Sequence, residues 1–211
     1  MTIDYPMASI RFHKFAIEGM QDIQKQTEKS KAFYFPYVEE KRGVADKLLI
    51  ELAKNAAVVI TDDYPTYFVP QMTAEAKGSI QTTYELVDSN GLLPIRIAEK
   101  EYVRAHDFRR FMHKNIEDFL VEVPEKDPLE YLNLKFDRKL LEPIFKKYAL
   151  VDFNKVNTQD FLNNLNVDKS VEVSDVVGGY NAAKSRLDLF AKKGFNDYSK
   201  LRSHPSEDAS S

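Results

Sequence analysis

Cysteine is absent from the 211 residues, and glycine is scarce at 7. Without cysteine there is no disulfide, no thiolate nucleophile and no Cys metal site. That composition suits a reducing compartment, and the cytoplasm is the expected location. The scattered glycines form neither a Rossmann fingerprint nor a P-loop, which excludes a phosphate cradle of either type. No apolar run approaches the ~20 residues needed to span a bilayer, so no membrane is expected. Met1 to Ser9 lacks the basic start and apolar stretch of a secretory signal. The four histidines, His13, His106, His113 and His204, include no pair with metal-ligand spacing and carboxylate support. They read as surface residues, and no metal is expected.

What is present is an ordinary globular mixture, 43% hydrophobic and 30% charged, with the length of one medium domain or a domain plus an appendage. The net charge of −3 argues against a protein that coats nucleic acid over its whole surface. The charge is unevenly spread. Glu117 to Glu130 is mainly acidic, whereas Lys184, Arg186, Lys192, Lys193, Lys200 and Arg202 crowd the C-terminal part against Asp188 and Asp197. A basic face there suits phosphates, and it equally suits a solvated helix surface.

Hydrophobic spacing orders the chain. Phe12, Phe15, Ala16, Met20 and Ile23 predict an amphipathic helix from Ser9 to about Glu28. Phe33 to Val38 reads as an aromatic strand, placed at a sheet edge because Pro36 has no N–H to give a ladder. A second helix carries Ala45, Leu48, Leu49, Leu52 and Ala56. Ala57 to Ile60 is apolar without alternation, as a parallel strand covered on both faces would be. A short helix near Pro70 to Lys77 and a third strand, Tyr84 to Val87, follow, then a helix marked by Phe108, Phe111, Met112, Ile116, Phe119 and Leu120. Alternating strands and helices imply βαβ units, hence an α/β fold with a small parallel sheet. Residues 121 to 173, broken by Pro124, Pro128 and Pro143, read as a long, partly helical connection with a short helix near Pro143 to Tyr148. Gly178-Gly179 then opens a helix with Ala183, Leu187, Phe190 and Ala191 on one face, and a short helix holding Tyr198 comes after it.

Two places carry candidate chemistry. Asp62-Asp63 ends one strand and Asp88-Ser89-Asn90 ends another, so all would meet at the rim where ligands of open α/β sheets collect. The same residue types also serve simply as turn formers. The second place is Tyr198 to Arg202 and the Ser-rich end, Ser210-Ser211, where hydroxyls in tandem suit a phosphate and equally suit a frayed tail.

Taken together, these segments resemble the photolyase/cryptochrome flavoproteins, within them the class II-like and related bacterial branches. Val59 to Pro65 looks like that group's V-T-D-x-x-P turn, and Val87 to Pro94 is similar to its V-D-x-x-x-x-x-P segment. Lys100-Glu101-Tyr102 with Phe108-Arg109-Arg110 matches the helix that follows. Gly178-Gly179, Ala183, Leu187, Phe190, Tyr198 and Arg202 resemble the opening of the family's FAD domain.

The resemblance implies a light-driven enzyme that repairs pyrimidine dimers in DNA, or a related blue-light receptor, with FAD and an antenna chromophore. It implies an incomplete Rossmann-like βαβαβ sheet in residues 1–120, a linker over 121–173 and the start of a helical FAD-binding domain from 174 to 211. Tyr198, Ser210 and Ser211 stand at flavin-phosphate positions, and Arg202 at a DNA-facing one. Two departures follow from the same comparison. The family's first two strands have no counterpart, and the chain ends where L-S-x-Y-L would begin; the family's relay tryptophans are missing as well, since the chain has no Trp. The expectation is a photolyase-like fragment, inactive alone and paired with damaged DNA or a complementary chain in its complete form. A free-standing α/β nucleotide-binding module and a non-catalytic interaction remnant are the alternatives.

Overall fold

Ser9 starts the longest helix, α1 (Ile10–Thr27), because its hydroxyl accepts from the Phe12 N–H at 3.5 Å and its backbone turns outward in an extended conformation. The structure, a computed structural model, describes residues 1–121, 123–133, 136–156, 158–204 and 206. Among them are eight α-helices and one two-stranded parallel sheet. The chain forms two units. One comprises Met1–Val44, Leu129–Phe136 and Ala149–Ser211, the other Ala45–Pro128 and Asp137–Tyr148.

In the first unit, α1 buries Ile10, His13 and Ile17, a stripe at the i, i+3, i+7 spacing of one helix face. This is not the stripe that the aromatic residues predict. Phe12 and Phe15 are about half exposed, at 54% and 51%, since they point to the neighbouring face. His13 is likewise no surface residue. It is fully buried, its Nδ1–H donates to the Ser9 carbonyl at 2.9 Å, and its ring stacks on Tyr5 at 5.6 Å. Against α1 lie Val38, Val151, Phe153, Leu162 and Leu165, which with Ile10 and Ile17 form the core. Ser9 and Asp168 add a single parallel bridge, with the Ile10 N–H donating to the Asp168 carbonyl at 2.7 Å.

The expected strand from Phe33 to Val38 is not formed. Val38 is buried, but the segment makes isolated backbone hydrogen bonds in place of a ladder. Val151 N–H donates to Pro36 O at 2.9 Å, and Glu39 N–H donates to Met1 O at 2.9 Å. Pro36 explains the failure, because a residue without an N–H interrupts pairing where the run is short.

In the second unit, α2 (Leu48–Ala53) is shorter than its apolar stripe predicts and buries Leu48 and Ala53. β1 (Val58–Asp62) and β2 (Thr83–Val87) run parallel in register from Val58↔Thr83 to Asp62↔Val87, joined by a crossover through α3 (Val69–Ser79). The βαβαβ sheet expected above is therefore a single βαβ unit among the described residues. β1 alternates in exposure, with Val58 at 38% and Ile60 at 58%, although its unbroken apolar run predicts cover on both faces. One face is covered. Pro70, Thr73 and Ala74 of α3 line a cleft with Leu86, which shares its face with Val59, Thr61 and Tyr84. The opposite face shows Val58, Ile60 and Val87 to solvent.

Then come α4 (Ala105–Asn115), where Tyr102 packs against Phe108 and Phe111 at 5.5 and 5.2 Å, and α5 (Glu142–Lys147), which buries Ile144. Lys147 Nζ reaches Glu51 Oε1 at 2.5 Å and ties α5 to α2. The first unit resumes with α6 (Thr158–Asn164), α7 (Tyr180–Leu189), one π-type turn over Phe190–Gly194, and α8 (Tyr198–Leu201).

α7 is held to α1 by its start. Gly178 lies so close to Phe15 that a Cβ would sit 2.1 Å from the Phe15 carbonyl oxygen. Gly179 has φ of 100°, a conformation that side-chain-bearing residues rarely adopt. The Gly178 N–H donates to Glu18 Oε2 at 2.7 Å, and Asn181 donates through N–H and Nδ2 to the two oxygens of Asp22, each at 3.0 Å. Asp22 thereby satisfies an N–H that the start of α7 leaves without a partner, and Glu18 fixes the residue ahead of the cap.

Candidate functional site at the strand ends

The C-terminal ends of β1 and β2 bring Asp62, Asp63, Asp88 and Asn90 to one rim. Parallel pairing dictates this, since strands aligned in register end side by side, and the Asp63 N–H continues the ladder by donating to Val87 O at 2.8 Å. Ser89 Oγ donates to Asp62 Oδ1 at 2.5 Å. Asn90 Nδ2 donates to the Asp63 carbonyl at 2.8 Å and to Asp88 Oδ1 at 3.2 Å. The other oxygen of Asp88 accepts the Ile95 N–H at 2.6 Å.

Sequence reasoning missed Arg96. Its Nη2 donates to Asp63 Oδ1 at 2.7 Å and its Nε to Asp63 Oδ2, a two-point contact that matches the fork of a guanidinium to a carboxylate. The available signal was Pro94, which turns the chain after the Asn90-Gly91 bend and returns a cation to an acidic rim.

These contacts set the charge state. The hydrogen bond from Arg96, with its nearby charge, holds the Asp63 carboxyl below the usual carboxylate range. Backbone hydrogen bonds from Ile95 and Asn90 do the same for Asp88. Both are ionised at neutral pH and their lone pairs already receive donors, which unsuits them to take a proton from a substrate. Asp63 and Asp88 thus act as hydrogen-bonded walls of the rim.

What it walls is a cleft of about 400 Å³ between the strand ends and α3, lined by Tyr64, Pro65, Thr73, Leu86 and Ile95, with Lys77 and Arg96 as its cations. That volume lies within the range of small-molecule sites, and its apolar lining with a few polar groups is the usual composition. The cleft has the size and lining to hold a small ligand. Among the described residues no group of three or more His, Cys, Asp or Glu side chains is placed to hold a metal ion.

The second candidate lies in the other unit. Tyr198 opens α8, its ring edge-on to Phe190 at 5.7 Å, and is 39% exposed. Arg202 caps the same helix one turn later, its N–H donating to the Tyr198 carbonyl at 2.9 Å, and its side chain is exposed. The i, i+4 spacing puts Tyr198 and Arg202 on one side of the turn. Ser210 and Ser211 lie outside the described residues.

No protein-family model matches the chain. Deoxyribodipyrimidine photo-lyase of Methanothermobacter thermautotrophicus (strain Delta H) is 24% identical to it over 206 residues, which cover 97% of this chain and 42% of the relative. The chain therefore spans less than half the length of that curated relative. The match runs over nearly the whole sequence and supports a distant photolyase-like relationship.

Proposed function

We propose that this chain is the α/β part and the beginning of the helical FAD domain of a photolyase-like flavoprotein that repairs pyrimidine dimers in DNA by light. The observation that carries this reading is the extent of the match, 97% of the chain against one continuous relative. Residues 1–120 would form the antenna-type domain, 121–173 the connection and 174–211 the start of the flavin domain, in a cytoplasmic protein. Repair is proposed for the complete assembly, in which the remaining portion comes from the same protein or a complementary chain. This chain alone would be inactive.

Tyr198 is the described residue that would meet the phosphate end of FAD. Tyr198 presents a hydroxyl donor at the start of α8, and no partner occupies it among the described residues. Ser210 and Ser211 would add donors beyond it. Arg202, exposed one turn further, would meet the DNA backbone, with Lys192, Lys193 and Lys200 as neighbouring cations. FAD would supply the light-driven electron transfer that splits the dimer. An antenna chromophore would occupy the cleft beside Asp62, Asp63, Asp88 and Asn90, whose part is to keep the strand ends rigid around it.

The test is a fusion of this chain to the part of the Methanothermobacter relative that has no counterpart here. Expected is flavin absorption and light-dependent loss of cyclobutane dimers from a thymine-dimer oligonucleotide with the fusion, and neither with this chain alone. A fusion that folds and binds flavin but repairs nothing would count against the reading, as would repair by this chain alone. The strand-end cleft favours a second reading, a free-standing α/β nucleotide-binding module. In that case ATP would bind the isolated chain, and Lys77→Glu would abolish the binding.

A further inference from the structure

Residues 172 to 178 form a strap across α1 that is fastened at both ends. At one end Arg11 Nε donates to the Glu172 carbonyl at 2.7 Å, and at the other the Gly178 N–H donates to Glu18 Oε2 at 2.7 Å. Between these points the strap stands off the helix. Ser174 Oγ accepts the Val176 N–H at 3.1 Å, a local side-chain turn within the strap. Beneath it lies a cleft of about 380 Å³ walled by Phe12 and Phe15 below and Val176 above, with Ser174, Arg11 and Lys14 at its edge.

The chemistry of this cleft is specific. Its walls are almost wholly apolar, and two phenyl rings on successive turns of one helix offer a surface for another ring. Its edge is cationic. Lys14 is neutralised by Glu18 at 2.7 Å, whereas no carboxylate pairs with Arg11 among the described residues. Arg11 spends Nε on the strap, and the rest of its guanidinium fork remains to bind an anion. The strap's two acids, Glu172 and Asp175, are exposed and lie outside the lining.

We infer that the cleft under the strap binds a small aromatic carboxylate, the ring between Phe12, Phe15 and Val176 and the carboxylate on Arg11. Nothing in the proposed repair reaction uses these residues, and the inference stands apart from it. An apolar ring without the charge would leave the guanidinium unused, and an anion without a ring would leave the phenyl walls in water.

The probe is 2-naphthoate, titrated by calorimetry into the whole chain, with neutral 2-naphthamide as comparison. Expected is saturable one-to-one binding of the naphthoate, with the amide weaker by about tenfold for want of the charge-assisted contact. Val176→Asp places a like charge at the mouth and should abolish binding, while Val176→Leu retains it. Val176 is 63% exposed, so both variants should fold, and an unchanged thermal transition verifies this. Absence of saturable naphthoate binding, amide binding as tight as naphthoate binding, or binding that persists in Val176→Asp would each overturn the assignment.

Discussion

Arg96 grips both carboxylate oxygens of Asp63 across 33 residues of sequence, and so fastens the loop after β2 to the end of β1.

The contact makes a pH-dependent prediction. Asp63 and Asp88 have folded pKa values below their ordinary ones, so their contribution is fully present above the unfolded carboxylate pKa of about 4. It declines as pH falls through the lower folded values. Arg96→Ala should lower the urea midpoint at pH 7 by a small amount, and the gap to wild type should narrow below about pH 4. A gap constant from pH 7 to pH 3 would show that Arg96 acts through packing alone.

Gly178→Ala should be among the most damaging single-methyl additions in the chain. Its Cβ would meet backbone, which cannot rotate aside, at 2.1 Å, so α7 must move off α1. Overpacking of this kind costs about 1–3 kcal/mol or more. Gly179→Ala meets a side-chain oxygen of Asp22 at 2.5 Å and also pays for φ of 100°, yet Asp22 can turn. The smaller loss is expected there, measured by urea denaturation.

Core and sheet should respond oppositely to truncation. Leu162→Ala removes a side chain that is 1% exposed from the core around α1 and should cost about 2–5 kcal/mol. Ile60→Ser, at 58% exposure on the uncovered sheet face, should change stability by no more than about 0.5 kcal/mol. A large loss from Ile60→Ser in the purified chain would mean that this face is covered in solution.

If the fusion described above binds DNA, Arg202→Ala should weaken binding of all sequences alike and reduce the slope of log affinity against log salt by about 1. A fluorescence-anisotropy titration at several salt concentrations reads both quantities. An unchanged slope would remove Arg202 from the phosphate contacts.

Local features were plain in the sequence. Ser9 ahead of a helical run gave the start of α1, and Asp62-Asp63 and Asp88-Asn90 after two strand-like runs gave the rim. What was hidden depends on distant partners. Phe12 and Phe15 have the same period as Ile10, His13 and Ile17, and periodicity cannot say which face meets Leu162 and Leu165. Phe33 to Val38 has strand composition, but a strand exists only where a ladder forms, and Pro36 and Val151 form a single hydrogen bond. Arg96 was obscured for the same reason, since its partner lies on another element. Val58 and Ile60 kept an apolar run that the described fold covers on one side.

The division of the first unit into separate stretches also governs how the chain is made. Ile17 emerges from the ribosome about 145 residues before Leu162, one of the residues that cover it. At synthesis rates of roughly 5–20 residues per second, α1 waits on the order of ten seconds with its apolar face open. Within that interval β1, α3 and β2 are made and can pair before Leu162 appears. α1 is therefore made well before the residues that bury it, and the βαβ segment between them can fold first.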